Sequence, residues 1–157
     1  MSAIRILFIL ISLLFCSFSM TAGDSLPPAQ MSLLQDSGGW EYVVINDGQD
    51  GFPTQHTCFD GVPHPETCSG TLTLTPNNRF VQKTFIHHQS VARNGTYQLD
   101  GNQLVFFDEF GTRDGPYSID IDILNKTMTM DMPQVKMKLE LYREYRKQLD
   151  AKQKKKR

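Results

Sequence analysis

Between Tyr117 and Leu141 the chain alternates apolar and polar residues almost without a break. Tyr117, Ile119, Ile121 and Ile123 fall on one side, with Ser118, Asp120 and Asp122 on the other. Met128, Met130 and Met132 oppose Thr127, Thr129 and Asp131, and Val135, Met137, Leu139 and Leu141 oppose Lys136, Lys138 and Glu140. Successive side chains of a β-strand point to opposite faces, so this period describes strands with one buried and one wet face. A helix places residues three and four apart on one side and cannot satisfy the pattern. The same signal runs back less evenly through Trp40–Val44, Leu72–Leu74, Arg79–His88, Thr96–Leu99 and Gln103–Asp108. Pro76-Asn77-Asn78, Asn94-Gly95, Asp100-Gly101-Asn102 and Asn125-Lys126 supply turn chemistry. The expected fold is all-β: an eight-stranded antiparallel up-and-down barrel, a closure that leaves no exposed edge. The long connection Asn46–Ser69 reads as a lid over one mouth.

The two ends break the period. Arg5 precedes an apolar run, Ile6–Cys16, followed by small residues up to Gly23. A bilayer span needs roughly 20 apolar residues, so this run reads as a cleaved secretory signal rather than a stable membrane span. Phe15 is too large for the position before a lipid-attached cysteine, so Cys16 is not read as an anchor. After Leu141, Tyr142, Tyr145 and Leu149 form one thin helical stripe. The expected organisation is a signal over 1–23, a linker over 24–37, the barrel over 38–143, and a short helix with a basic tail over 144–157. The expected location is secreted or periplasmic.

Charge follows the same division. Asp24–Tyr142 carries seven Lys or Arg against fifteen Asp or Glu, whereas Arg143–Arg157 carries eight against two. An acidic body argues against nucleic acid as a partner and suits a protein partner with a basic surface. The tail reads as a solvated terminus, with an anionic surface as the alternative.

Export bears on the cysteines. Without Cys16 the pair Cys58 and Cys68 remains, separated by a segment rich in Gly and Pro. Oxidation to a disulfide is the natural outcome in an oxidising compartment. The competing reading joins them with His56 and His64 around a metal, but the spacing matches no zinc pattern.

Three stretches carry a family resemblance. Gly38-Gly39-Trp40 opens the first strand, Gly95–Leu104 reads as a central hairpin, and Leu139-Glu140-Leu141-Tyr142-Arg143 closes the last strand. Together they resemble the lipocalin-like (calycin) domains of exported bacterial proteins. The resemblance implies an eight-stranded barrel, often a binder of small apolar molecules, with no catalytic residue. It also implies that Arg143 stacks over the Trp40 ring as a cation–π pair.

Inward positions of such a barrel place Tyr42, Phe80, Phe106, Ile119, Met130 and Met137 as the expected lining of a ligand pocket. The methionines equally suit core filling. His87 and His88, adjacent on a strand, point to opposite faces and cannot share a metal. Asp108, Glu109 and Asp114 cluster at a hairpin but lack the spacing of a calcium loop. Asn94-Gly95-Thr96 and Asn125-Lys126-Thr127 fit the glycosylation acceptor pattern, which matters only in a eukaryotic secretory pathway. No Walker, dinucleotide-binding or nucleophile-elbow motif is present. The expected function is non-enzymatic, without cofactor or metal: an exported barrel holding a small apolar or amphipathic ligand. The alternative is a filled barrel acting on a protein partner as an inhibitor or envelope scaffold.

Overall fold

The computed structural model describes residues 25–47, 54–86, 88–133 and 135–155. Its strands are β1 (Trp40–Asp47), β2 (Thr54–Thr57), β3 (Cys68–Leu74), β4 (Arg79–Ile86), β5 (Gln89–Asp100), β6 (Gln103–Asp108), β7 (Arg113–Asp122), β8 (Thr127–Met132) and β9 (Val135–Leu141). Helices α1 (Pro28–Leu34) and α2 (Tyr142–Lys155) flank them. Strands β3 to β9 form an antiparallel meander, and β1 pairs with both β3 and β9. The result is a closed eight-stranded antiparallel barrel with β2 added. The turns after β4, β6 and β8 lie at one end, here the mouth. The opposite end, the base, holds α1 and the start of α2.

Strand β1 has three neighbours. Along one side it pairs with β9 from Trp40↔Leu141 to Asp47↔Val135, with an irregularity between Tyr42 and Val44. Along the other it meets β3 only at Trp40↔Leu72 and Glu41↔Thr71, then β2 from Val44↔Thr57 to Asp47↔Thr54. Strand β2 thus fills a wedge where β3 diverges from β1. The segment read as a lid therefore contains a hairpin strand, which supplies partners for the mouth half of β1. The Cys58–Cys68 disulfide joins the end of β2 to the start of β3 across this seam, with its Cα atoms 4.7 Å apart.

Three other expectations are corrected. The stretch read as a linker forms α1. Its Leu33 and Leu34 are buried against the barrel base, and Gln30 Nε2 donates to the Ile121 carbonyl at 3.0 Å. An open barrel end exposes apolar side chains, and two leucines on a short amphipathic turn cover them. Asn94-Gly95, read as a turn, lies inside β5, paired with Val81 and Phe80 of β4. Gly95 is buried at a close crossing: a Cβ there would meet the Phe107 carbonyl oxygen at 2.0 Å. Its missing side chain serves strand packing rather than turn conformation. The turn lies further on, where His88 adopts φ +63° after Ile86↔Gln89 closes the ladder. His88 is therefore in a turn and not on a strand, and His87 lies outside the described residues.

Candidate functional site at the barrel mouth

The base is fully packed. Trp40 is wholly buried, and its Nε1 donates to the Leu34 carbonyl at 3.1 Å. Preceding it, Gly39 holds φ +73°, and its carbonyl accepts the Tyr142 N–H at 3.0 Å, tying the barrel's two terminal strands at one point. Arg143 takes other partners than the ring of Trp40. Its guanidinium pairs with Asp36 at 3.5 Å and Glu144 at 3.9 Å while the side chain stays 53% exposed. No stack of Arg143 on Trp40 occurs among the described residues.

The six residues expected to line a pocket come together, but as core. Tyr42, Phe80, Phe106, Ile119 and Met130 are at most 2% exposed and Met137 is 7% exposed. A hollow barrel would leave these inward side chains open to a water-sized sphere, so they fill the lumen here. Phe80 and Phe106 lie 4.7 Å apart between ring centroids, and Phe106 meets Tyr117 edge-on at 5.8 Å. Met130 sits between Ile119 and Met137 in the strand register.

Above this floor the lumen turns polar. Gln82 Nε2 donates to the Tyr42 hydroxyl at 2.6 Å, and Gln82 Oε1 accepts from Arg93 Nε at 3.0 Å and Nη2 at 2.5 Å. Arg93 Nη2 reaches Asp114 Oδ2 at 2.6 Å, and the Tyr117 hydroxyl donates to Asp114 Oδ1 at 2.8 Å. Five residues from β1, β4, β5 and β7 thus form one continuous row. Burial pushes both tyrosine hydroxyls above the ordinary phenol value. Both hydroxyls stay protonated, and Arg93 with Asp114 forms the ion pair of the row.

The row is also where the lumen becomes accessible. The side chains of Arg93 and Asp114 are 31% and 23% exposed. The strand register places Thr84, Ile86, Val91, Met132 and Val135 inward above them, all at least partly exposed, with Val91 at 46%. Among the described residues the mouth end therefore presents an apolar wall above an ion pair, an arrangement called the cup below. Asp108 belongs to the adjoining hairpin, where its Oδ1 accepts the backbone N–H groups of Phe110 at 2.9 Å and Thr112 at 2.7 Å. Burial opposes ionisation of this carboxyl, but those donors outweigh it and hold its pKa below the usual value. Glu109 is exposed and Asp114 serves the row, so the three acids do not converge.

The joined cysteines offer no thiolates to a metal. His56 is buried on the strand register beside Ile45, while His64 pairs with Asp60 at 3.2 Å and Glu66 at 3.3 Å on the surface. No group of three or more His, Cys, Asp or Glu that could hold a metal occurs among the described residues. A concavity of about 480 Å³ lies beside the base, lined among others by Leu26, Met31, Gln35, Tyr97 and Leu99. Its polar floor is internally paired, with Gln35 Nε2 donating to the Tyr97 hydroxyl and that hydroxyl donating to the Thr75 carbonyl.

Sequence reasoning missed Gln82 and Arg93. The alternation from Phe80 places Gln82 inward, and this is the signal that could have found it. Arg93 was hidden because its neighbours Asn94-Gly95 read as a turn. Comparison with family models, with curated proteins and with solved structures yields no match for this chain.

Proposed function

We propose that this protein is an exported, lipocalin-like binding barrel that seats a small amphipathic ligand in the mouth cup, its polar end against Arg93–Asp114. The observation that carries the reading is the inward ion pair at an accessible floor. Removing charges from water is costly, and apolar packing at the same positions commonly gives equal or greater stability. A barrel selected for stability alone has little use for Arg93 and Asp114 here, whereas a ligand with a polar end does. The apolar rim of Ile86, Val91, Met132 and Val135 suits the rest of such a molecule. The disulfide agrees with an oxidising compartment, extracellular or periplasmic. The reading involves no catalysis and no cofactor.

Native mass spectrometry of protein recovered from its own host tests it. A bound small molecule is expected, released on unfolding and lost in Val91→Trp, which fills the cup from an exposed position while leaving the packed base untouched. The second reading, a filled barrel working through its acidic outer surface on a protein partner, is favoured by the tight lumen below the row. It replaces the first if the native protein carries no ligand and an environment-sensitive apolar dye shows no saturable site.

A further inference from the structure

Helix α2 contributes no buried residue of its own, yet it lies along the barrel. Among the described residues its side chains meet the body at several points, Lys152 over Gly61 among them. The Tyr145 ring meets Phe59 at 4.5 Å, Gln148 Nε2 donates to Glu140 Oε1 at 2.6 Å, and Arg143 pairs with Asp36 at 3.5 Å. Beneath the helix two carboxylates face the same way. Glu41 of β1 and Glu140 of β9 are direct partners in the antiparallel register, both on the outward face. Glu140 is only 8% exposed and Glu41 is part-buried. Like charges directly opposite each other on neighbouring strands repel, and covering them with a helix removes the water that would screen them.

Charged groups of both signs on α2 and β9 surround this pair. From the helix, Arg146 acts on Glu41, while Glu144 adds a third acid beside Glu140. Glu144 is itself engaged by Lys147 at 3.1 Å and by Arg143 at 3.9 Å. From β9, Lys138 attracts Glu140. Tyr145 stands close enough to Glu41 to feel its charge. The flanking strands present only hydroxyl residues in register, Thr71 of β3 beside Glu41 and Thr127 of β8 beside Glu140.

We infer that α2 is a pH-dependent latch, docked on the Glu41–Glu140 pair while the pair holds a proton and released when both carboxylates ionise. Burial pushes Glu41 up to about 7, with Arg146 opposing, and burial together with Glu144 raises Glu140 against Lys138. A raised carboxyl pKa means that the docked state binds the proton more tightly. Docking is therefore strongest under acidic conditions and weakens as pH rises through about 7. The released helix carries Arg146 and Lys152 away from the barrel. It also removes Tyr145 from Phe59, uncovering the outer face of β1 and β9 and one side of the disulfide loop.

The test is hydrogen exchange of the full chain at pH 5.5 and pH 8.5, corrected for the intrinsic dependence of exchange on pH. Amides of α2 are expected to lose on the order of tenfold in protection at the higher pH, while those of β6 and β8 stay unchanged. In Glu41→Gln the loss should shrink to less than about twofold, and in Glu140→Gln it should shrink in part, because burial still raises Glu41. Equal α2 protection at both pH values in the natural chain, or a Gln variant that keeps the full dependence, overturns the latch. If either variant fails to fold, spin labels at Ala151→Cys and Ser118→Cys report on otherwise natural protein. Their distance distribution should lengthen above neutral pH, and an unchanged distribution equally overturns the inference.

Discussion

Removing the disulfide should open one seam of the barrel at a cost that the structure sets. Cys58 and Cys68 are 10 residues apart in sequence, and closing a loop of that size in the unfolded chain corresponds to about 2.7 kcal/mol in the chain-entropy relation. Both cysteines are buried, at 4% and 0% exposure, so Cys58→Ala with Cys68→Ala also forfeits sulfur packing. The double variant should therefore lose about 3–4 kcal/mol in all. In a domain of this size that lowers the melting midpoint by about 10–15 °C. Urea denaturation of natural and variant protein, with and without reductant, measures the loss, and the m-value should hold or rise, because the uncrosslinked unfolded chain exposes at least as much surface. Hydrogen exchange locates it. Ser69 and Gly70 lie in the stretch of β3 that diverges from β1, whereas Thr71 and Leu72 pair with β1 directly. The first two should lose protection well before the second two. A loss below about 1 kcal/mol, or protection that falls evenly along β3, would refute the view that this bond holds the seam.

Trp40→Ala should cost about 3–5 kcal/mol, because a wholly buried indole cannot be replaced by relaxation of α1 alone; chemical denaturation reads it directly. Arg143→Ala should cost less than about 1 kcal/mol, since its pairs with Asp36 and Glu144 are solvent-screened. A loss comparable to that of Trp40→Ala would instead show that the guanidinium supports the indole. Gly95→Ala should sharply reduce the yield of folded protein in an expression and circular-dichroism comparison, because its methyl would collide with the Phe107 carbonyl. Arg93→Met should destabilise by about 1–3 kcal/mol, leaving Asp114 without its cation. Its companion Arg93→Met with Asp114→Leu should recover much of the loss while abolishing retention of the native ligand in mass spectrometry. Glu41→Gln should make the chain more stable than the natural one above pH 7, by about 1–2 kcal/mol after allowance for partial exposure, and equal to it near pH 4. Thermal melts at the two pH values check the sign.

The barrel was legible because one physical rule, alternation across a half-buried sheet, governs β7 to β9 with few exceptions. Tyr117, Ile119, Met130 and Leu139 stand where the period places them. What escaped was everything that depends on the third dimension. A glycine after an asparagine is the same two letters in a turn and at a strand crossing, and only the approach of Phe107 distinguishes them. Helix α1 is too short to establish a period, and its two leucines acquire meaning only from the open barrel end they cover. Strand β2 is four residues long, below the length at which alternation is visible. The same holds for the site. Inward positions were readable, but whether they enclose space depends on side-chain volumes summed around the lumen. The row from Tyr42 to Tyr117 spans four strands with no spacing that marks it in the sequence.

The meeting of β1 with β9 has a consequence for how the protein is made. Trp40 pairs with Leu141, so β1 finds one of its three neighbours only once β9 has been made. Every hairpin from β3 to β9 can form as it emerges, at the small entropic cost of a tight turn, but the cylinder cannot shut until its last stave arrives. A partly made chain leaves the β1 edge bare and its lumen open, and such a curved sheet with one raw edge is prone to pair with copies of itself. Closure therefore waits for β9. A chain shortened before Val135 should accumulate as aggregate rather than as a smaller stable domain.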